Sequence, residues 1–156
     1  MPDALNPPAI DPDQLPHTFQ ADYPAPFVDQ VRGQLRCALG QALGLTAFGV
    51  NMVTLPPGCW SSQRHWHSHE EEFVMVLEGE VTLVTDGGEQ VLTAGQVAGF
   101  PKDRADGHHF INRSDAPARL LAVGDNIAED VCTYPDADLQ LLNKAAGYTD
   151  KAGKPL

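Results

Sequence analysis

The stretch Arg64–His65–Trp66–His67–Ser68–His69–Glu70–Glu71–Glu72–Phe73, with Leu77–Glu78–Gly79–Glu80 following it, decides how the chain is read. In extended backbone, residues i and i+2 project to one face, so His65 and His67 point together. Two imidazoles so placed can share one ion, about 2.0–2.2 Å from each nitrogen. Glu72 opens an apolar run, Phe73–Leu77, and a hairpin returning it beside His65 and His67 adds an anionic oxygen to the same pocket. Imidazole plus carboxylate suits one divalent transition metal: Zn, Mn, Fe or Ni. His69 shares the parity of the pair but falls at the turn, so it is expected to face solvent or to support the ligands from behind. Glu70 and Glu71 read as turn residues on a solvated face.

A second cluster, Gly107–His108–His109–Phe110–Ile111–Asn112, follows at strand distance. Neighbouring strand residues point oppositely, so one of His108 and His109 at most enters the same interior. Five of the six histidines fall in these two clusters, with His17 apart from both, and that placement marks them as a set.

Around the clusters, from about 46 to 135, short runs of Val, Leu, Phe and Thr are broken by turn chemistry such as Pro56–Pro57–Gly58 and Ala94–Gly95. Asp86–Gly87–Gly88, between Val81–Thr85 and Gln90–Thr93, is a hairpin signal because glycine supplies φ > 0 without steric cost. Many short strands with almost no helix between them predict an all-β sandwich or barrel. Phe73–Leu77 is apolar on both faces, whereas a half-solvated antiparallel strand alternates. Its outer face is therefore expected to be covered by the N-terminal segment, a second sheet or another subunit.

Residues 1–45 read as a proline-rich extended arm and a short helical segment. Seven of the 13 prolines precede Val28, and proline removes the ladder donor that a central strand needs. Phe19, Tyr23 and Phe27 give the arm apolar handles. From Val28 to Leu43 the apolar spacing is helical, weakened at Gly33 and Gly40 by roughly 1 kcal/mol each. The tail, 136–156, reads as a short helical turn followed by a loosely held end.

The chain has 156 residues and a formal net charge of −11. That length predicts one domain. The acidic balance argues against nucleic acid or an anionic membrane as partner, since both would repel it. No apolar run approaches the ~20 residues of a membrane helix. Met1–Asn6 lacks the basic and apolar regions of a secretory signal. Cys37, Cys59 and Cys132 are odd in number, far apart and without a CxxC pair, which suits reduced thiols in the cytoplasm. Cys59 reads as a small buried hydrophobe and Arg64 as a structural ion-pair partner.

His65–x–His67–x4–Glu72, with Gly58 upstream and Gly79 closing the run, resembles the first motif of the cupin superfamily. Gly95–x5–Pro101 with His108–x3–Asn112 resembles the second. The likeness spans about 48 to 123 and is most like a group of small bacterial cupins that mostly lack an assigned function. It implies a double-stranded β-helix, or jelly-roll barrel, and places the metal ligands on His65, His67, Glu72 and His108. Asn112 is read as a strand-end residue rather than a ligand. Two departures stand out. Six residues rather than five separate Gly58 from His65, and Lys102–Asp103 stands where the family has x–Gly, with the histidine two positions late. His108 keeps the distance to Asn112; His109 is the substitute ligand.

The resemblance implies an open metal site able to act on or bind a small polar metabolite, as a metal-dependent dioxygenase or isomerase. The alternatives are a sugar isomerase or epimerase, and a binding or sensing module without turnover. The doubly apolar strand and the arm predict a homodimer.

Overall fold

The computed structural model describes residues 7–142 and 144–156; Met1–Asn6, and with them Pro2 and the reading of the chain's start, lie outside these, as does Asn143. In chain order the elements are β1 (Leu35–Cys37), α1 (Leu39–Ala42), β2 (Phe48–Leu55), β3 (Trp66–His67), β4 (Glu72–Glu78), β5 (Glu80–Thr85) and β6 (Gly88–Thr93). They continue with β7 (Val97–Phe100), β8 (His109–Ile111), β9 (Ala118–Asp125), β10 (Cys132–Tyr134), β11 (Leu139–Leu141) and β12 (Tyr148–Thr149). Every strand pairing is antiparallel, in sheets ordered β1-β2-β9-β4-β7, β12-β11-β10-β3 and β6-β5-β8. The fold is the all-β jelly-roll barrel that the strand pattern and the cupin-like motifs imply.

The first and third sheets enclose the main core. Val53 and Leu55 of β2, Val74 and Val76 of β4 and Leu120 of β9 pack against Val81, Leu83, Leu92 and Phe110. Leu55, Val76 and Val81 are completely buried, each worth about 1.5–3 kcal/mol. The Asp86–Gly87 loop joins β5 to β6 with Thr85 opposite Gly88. At Gly79, between β4 and β5, φ is +77° and an added Cβ would lie 2.8 Å from the Pro117 carbonyl oxygen, so only glycine fits.

The helical spacing across 28–43 breaks into three pieces: a 3-10 turn (Asp29–Val31), β1 and the single turn α1. Gly33, at φ +103°, stops the first piece, and pairing of Leu35–Cys37 with Met52–Thr54 outweighs local propensity. The tail is likewise not helical. Tyr134 pairs with Leu139 across a four-residue turn, and the fully buried Leu139 anchors β11.

Tyr23 and Phe27 pack on Cys132, Tyr134 and Leu139 of the same chain. On the outer face of β4, Leu77 packs against the cluster of Cys37, Leu39 and Met52, while Phe73 is 41% exposed. Among the described residues no helix is long and apolar enough to cross a membrane.

Candidate metal centre

The four residues implied as ligands come from three places in the barrel. His65 and His108 form a two-residue antiparallel bridge, exchanging backbone hydrogen bonds of 3.1 and 2.8 Å. His67 lies on β3, opposite Cys132 of β10. Glu72 begins β4, between Gly124 of β9 and Phe100 of β7. The expected hairpin between the histidines and Glu72 is absent, because β3 and β4 belong to different sheets. Side-chain carboxylates, not a ladder, hold the corner between them. Asp130 Oδ1 accepts from the amides of His69 (2.8 Å) and Glu70 (3.1 Å), and Asp125 Oδ2 from that of Glu71 (3.1 Å). Glu72 therefore meets the imidazoles across the barrel interior.

Glu72 Oε2 lies 2.7 Å from His108 Nε2 and 3.5 Å from Nε2 of both His65 and His67. Donors about 2.1 Å from a common ion sit about 3.0–3.4 Å from their neighbours in octahedral or tetrahedral geometry. His108 stands closer to Glu72 than that spacing, and His65 and His67 slightly farther. The donor atoms of His65, Glu72 and His108 lie within 4.8 Å of one another, as do those of His65, His67 and Cys132, and either grouping could hold a metal ion. Nδ1 of His65 bonds the Gln63 carbonyl oxygen at 2.8 Å, and Nδ1–H of His67 donates to Asp130 Oδ2 at 2.6 Å. Each contact leaves Nε2 as the free donor. The His108 ring stacks flat on Phe100, centroids 3.5 Å apart, with its Nδ1 buried and unbonded.

Burial alone would raise the Glu72 carboxyl, but hydrogen bonds from His108 and His65 and the nearby imidazole charges hold it well below the usual carboxylate range. The residue is an anion inside the barrel. Burial opposes the charged form of His65 too, yet Glu72 wins and raises it, whereas burial dominates at His108 and lowers it.

His108 is the member of the second pair that turns inward. His109 is buried on the other side, its Nδ1 3.0 Å from the Ser62 carbonyl oxygen and its ring edge-on to Trp60. The unusual loop before it keeps the geometry of a glycine turn without the glycine. Asp103 adopts φ +56°, and its amide donates to the His67 carbonyl oxygen at 2.9 Å.

His69 is exposed and bonded to Ser68 Oγ, and His17 Nε2 bonds the Pro12 carbonyl oxygen, both away from the cluster. Glu70 corrects the reading of a solvated turn residue. It is buried, and its Oε1 accepts from the Ile127 amide and from Lys144 Nζ, each at 2.9 Å. Arg64 points away, pairing with both oxygens of Asp136 (2.7 and 2.8 Å) and with Asp86. Cys59 is part of the core. Asn112 is fully buried and closes the strand end by donating to the carbonyl oxygens of Leu55 and Ala116.

The cluster opens on a cavity of about 240 Å³ that also meets Arg36, Ser61, Ser62, Tyr134 and Lys144. Burial pushes the Tyr134 hydroxyl well above its usual value, so it keeps its proton and acts as a donor. Sequence reasoning missed Asp130, which fixes His67, and Cys132, whose thiol lies within reach of His65 and His67 and is held protonated by burial. Neither residue carries a motif. Both become visible only when β10 is laid beside β3.

A sequence model for the family described as Cupin domain matches residues 51–124. The polyketide synthase CurC of Streptomyces cyaneus is 28% identical, over 78% of this chain and 84% of that one. The crystal structure of a sugar phosphate isomerase of the cupin superfamily from Silicibacter pomeroyi is 41% identical, with a TM-score of 0.90 over 96% of each chain. The polyketide cyclase RemF of Streptomyces resistomycificus, 18% identical, shares the fold with a TM-score of 0.62 over 75% of this chain and 78% of that one.

Proposed function

The chain belongs to the cupin superfamily, and on that footing we propose that its barrel holds one divalent transition metal on His65, His67, Glu72 and His108 and isomerises a small hydroxylated carbonyl metabolite there. The observation that carries this reading is the convergence of three imidazole nitrogens, those of His65, His67 and His108, on Glu72 Oε2 at the wall of a 240 Å³ cavity. The cavity is too large for water alone and too small for a macromolecule. The 41% identical relative named as a sugar phosphate isomerase supports isomerisation over oxygenation.

When bound, the metal supplies Lewis acidity toward the carbonyl or enediol oxygen of the substrate. The chain's own residues do the rest. Glu72 and the three imidazoles fix the reacting end, with Asp130 and the Gln63 carbonyl setting the rings of His67 and His65. The Tyr134 hydroxyl and the Ser61 and Ser62 hydroxyls line the space a polyhydroxylated chain would fill. Buried Val53, Val74 and Leu120 form the dry side of that space, which strengthens each polar contact within it. The reading carries with it a cytoplasmic setting, which the three free, buried cysteines suit.

The test is proton NMR in D2O on protein loaded in turn with Zn, Mn, Fe and Ni, against a panel of aldoses, ketoses and their monophosphates. Interconversion with solvent deuterium entering the carbon next to the carbonyl is expected, and its loss in Glu72→Ala. Stoichiometric oxygen uptake without interconversion would make the protein an oxygenase; saturable binding without turnover would make it a sensing module.

A further inference from the structure

Acids outnumber Lys and Arg by more than two to one in this chain. Even so, Arg36 has no carboxylate within 4 Å and no side-chain hydrogen bond among the described residues, and it is half-buried. The other cations without a carboxylate partner, Lys102, Arg104, Lys151 and Lys154, are all exposed, where water serves them. A partly desolvated guanidinium with no counter-charge is unfavourable, and five N–H donors in a fixed fork are left to be matched.

The register shows which way Arg36 faces. It pairs with Val53 of β2, which pairs with Leu120 of β9, and cross-strand partners share a face. Val53 and Leu120 line the cavity that holds the His/Glu cluster, and so does Arg36. Its backbone is held from the other side by Thr18, through bonds of 2.8 and 3.0 Å, so the side chain leaves a fixed base. Arg36 also lines an adjoining cavity of about 180 Å³, in common with Tyr23, Ser61 and Ser62. The one carboxylate there, Asp22, accepts from the Tyr148 hydroxyl at 3.3 Å. In the main cavity Glu72 is engaged by the imidazoles, and Asp130 by His67 and two amides.

We propose that Arg36 is the anion-recognition residue of the cavity: the substrate carries a terminal oxyanion, a phosphate monoester or a carboxylate, that docks on its guanidinium while the hydroxy-carbonyl end faces the His65–His67–Glu72–His108 cluster. Planar guanidinium matches both anions through paired N–H···O bonds, and Ser61 and Ser62 line both cavities beside it. This rests on the reading of the cluster as the reacting end. It adds the chemical class of the far end.

The test is calorimetric binding to the full chain, with and without Mn(II), using glucose, glucose 6-phosphate, glucuronate and inorganic phosphate as probes. Wild type is expected to prefer one of the anionic sugars over glucose by about 10- to 100-fold. Arg36→Gln should erase that preference and Arg36→Lys retain part of it, with melting temperature and Mn(II) binding unchanged. A preference for the phosphate identifies a phosphomonoester substrate, and one for glucuronate a carboxylate. Equal affinity of wild type for glucose and both anionic sugars, or an undiminished preference in a folded Arg36→Gln, overturns the proposal. Because binding is read without turnover, an anion preference in a protein that isomerises nothing would sink the isomerase reading and leave this one standing.

Discussion

Nδ1 of His67 lies 2.6 Å from Oδ2 of Asp130, and the same carboxylate's Oδ1 accepts the amides of His69 and Glu70. One aspartate thus fixes both the ring of His67, a ligand of the proposed metal site, and the corner that sends the chain on to Glu72.

Asp130→Asn separates those two jobs. The amide keeps an oxygen for the His69 and Glu70 amides, but its NH2 makes His67 Nδ1 an acceptor and puts the ring proton on Nε2, where a metal must bind. Metal affinity should fall by about 10- to 100-fold while circular dichroism and melting change little. Competitive titration with Mn(II) or Co(II) measures this, and unaltered affinity would remove Asp130 from the site.

His108 and His109 should separate cleanly. His108→Ala should lose bound metal, since its Nε2 is 2.7 Å from Glu72 Oε2. His109→Ala should keep the metal and lose about 1–3 kcal/mol of stability, from an emptied buried position and an unanswered Ser62 carbonyl. The reverse pattern in metal content and chemical denaturation would reassign the ligand.

Arg64 and Asp136 give an acid-dependent stability term. The hydrogen bond from Arg64 holds the Asp136 carboxyl below its usual value. A depressed carboxyl stabilises the fold above the unfolded value of about 4, and that contribution fades as pH falls through the folded value. The stability gap between wild type and Arg64→Met should therefore narrow from pH 7 to pH 3. Because Asp136 is largely exposed, the change is small. Urea unfolding at both pH values checks it; a gap that widens in acid contradicts it.

Phe48, Phe73 and Val97 are all exposed on the side of the first sheet opposite Glu72, Val74 and Val76. A second copy of the chain is expected to cover this strip. Light scattering should give a dimer mass for wild type and a monomer mass for Phe73→Glu. A wild-type monomer at micromolar concentration would rule the dimer out.

The strand content and the grouping of the histidines were legible because they follow from short periods and local spacing, whereas the jelly-roll barrel and the choice of His108 came from the likeness to the cupin motifs. His65 and His67 share a face by parity alone, and Asp86–Gly87–Gly88 turns a hairpin wherever it stands. What the sequence hid is the route by which Glu72 arrives. Adjacent segments suggested a hairpin, whereas Asp125 and Asp130, more than fifty residues downstream, redirect the corner into another sheet. Glu70 was misread for the same reason, since its partners are the Ile127 amide and Lys144. The helical spacing of 28–43 gave way to pairing with β2, a contact that local periodicity does not encode.

The most direct test of the central claim is elemental analysis of the full chain purified without added metal, alongside Glu72→Ala and His67→Ala. The account predicts about one divalent transition ion per wild-type chain and its loss from both variants, each still folded. A wild-type protein that neither carries nor takes up such an ion, or variants that retain it, would contradict the claim.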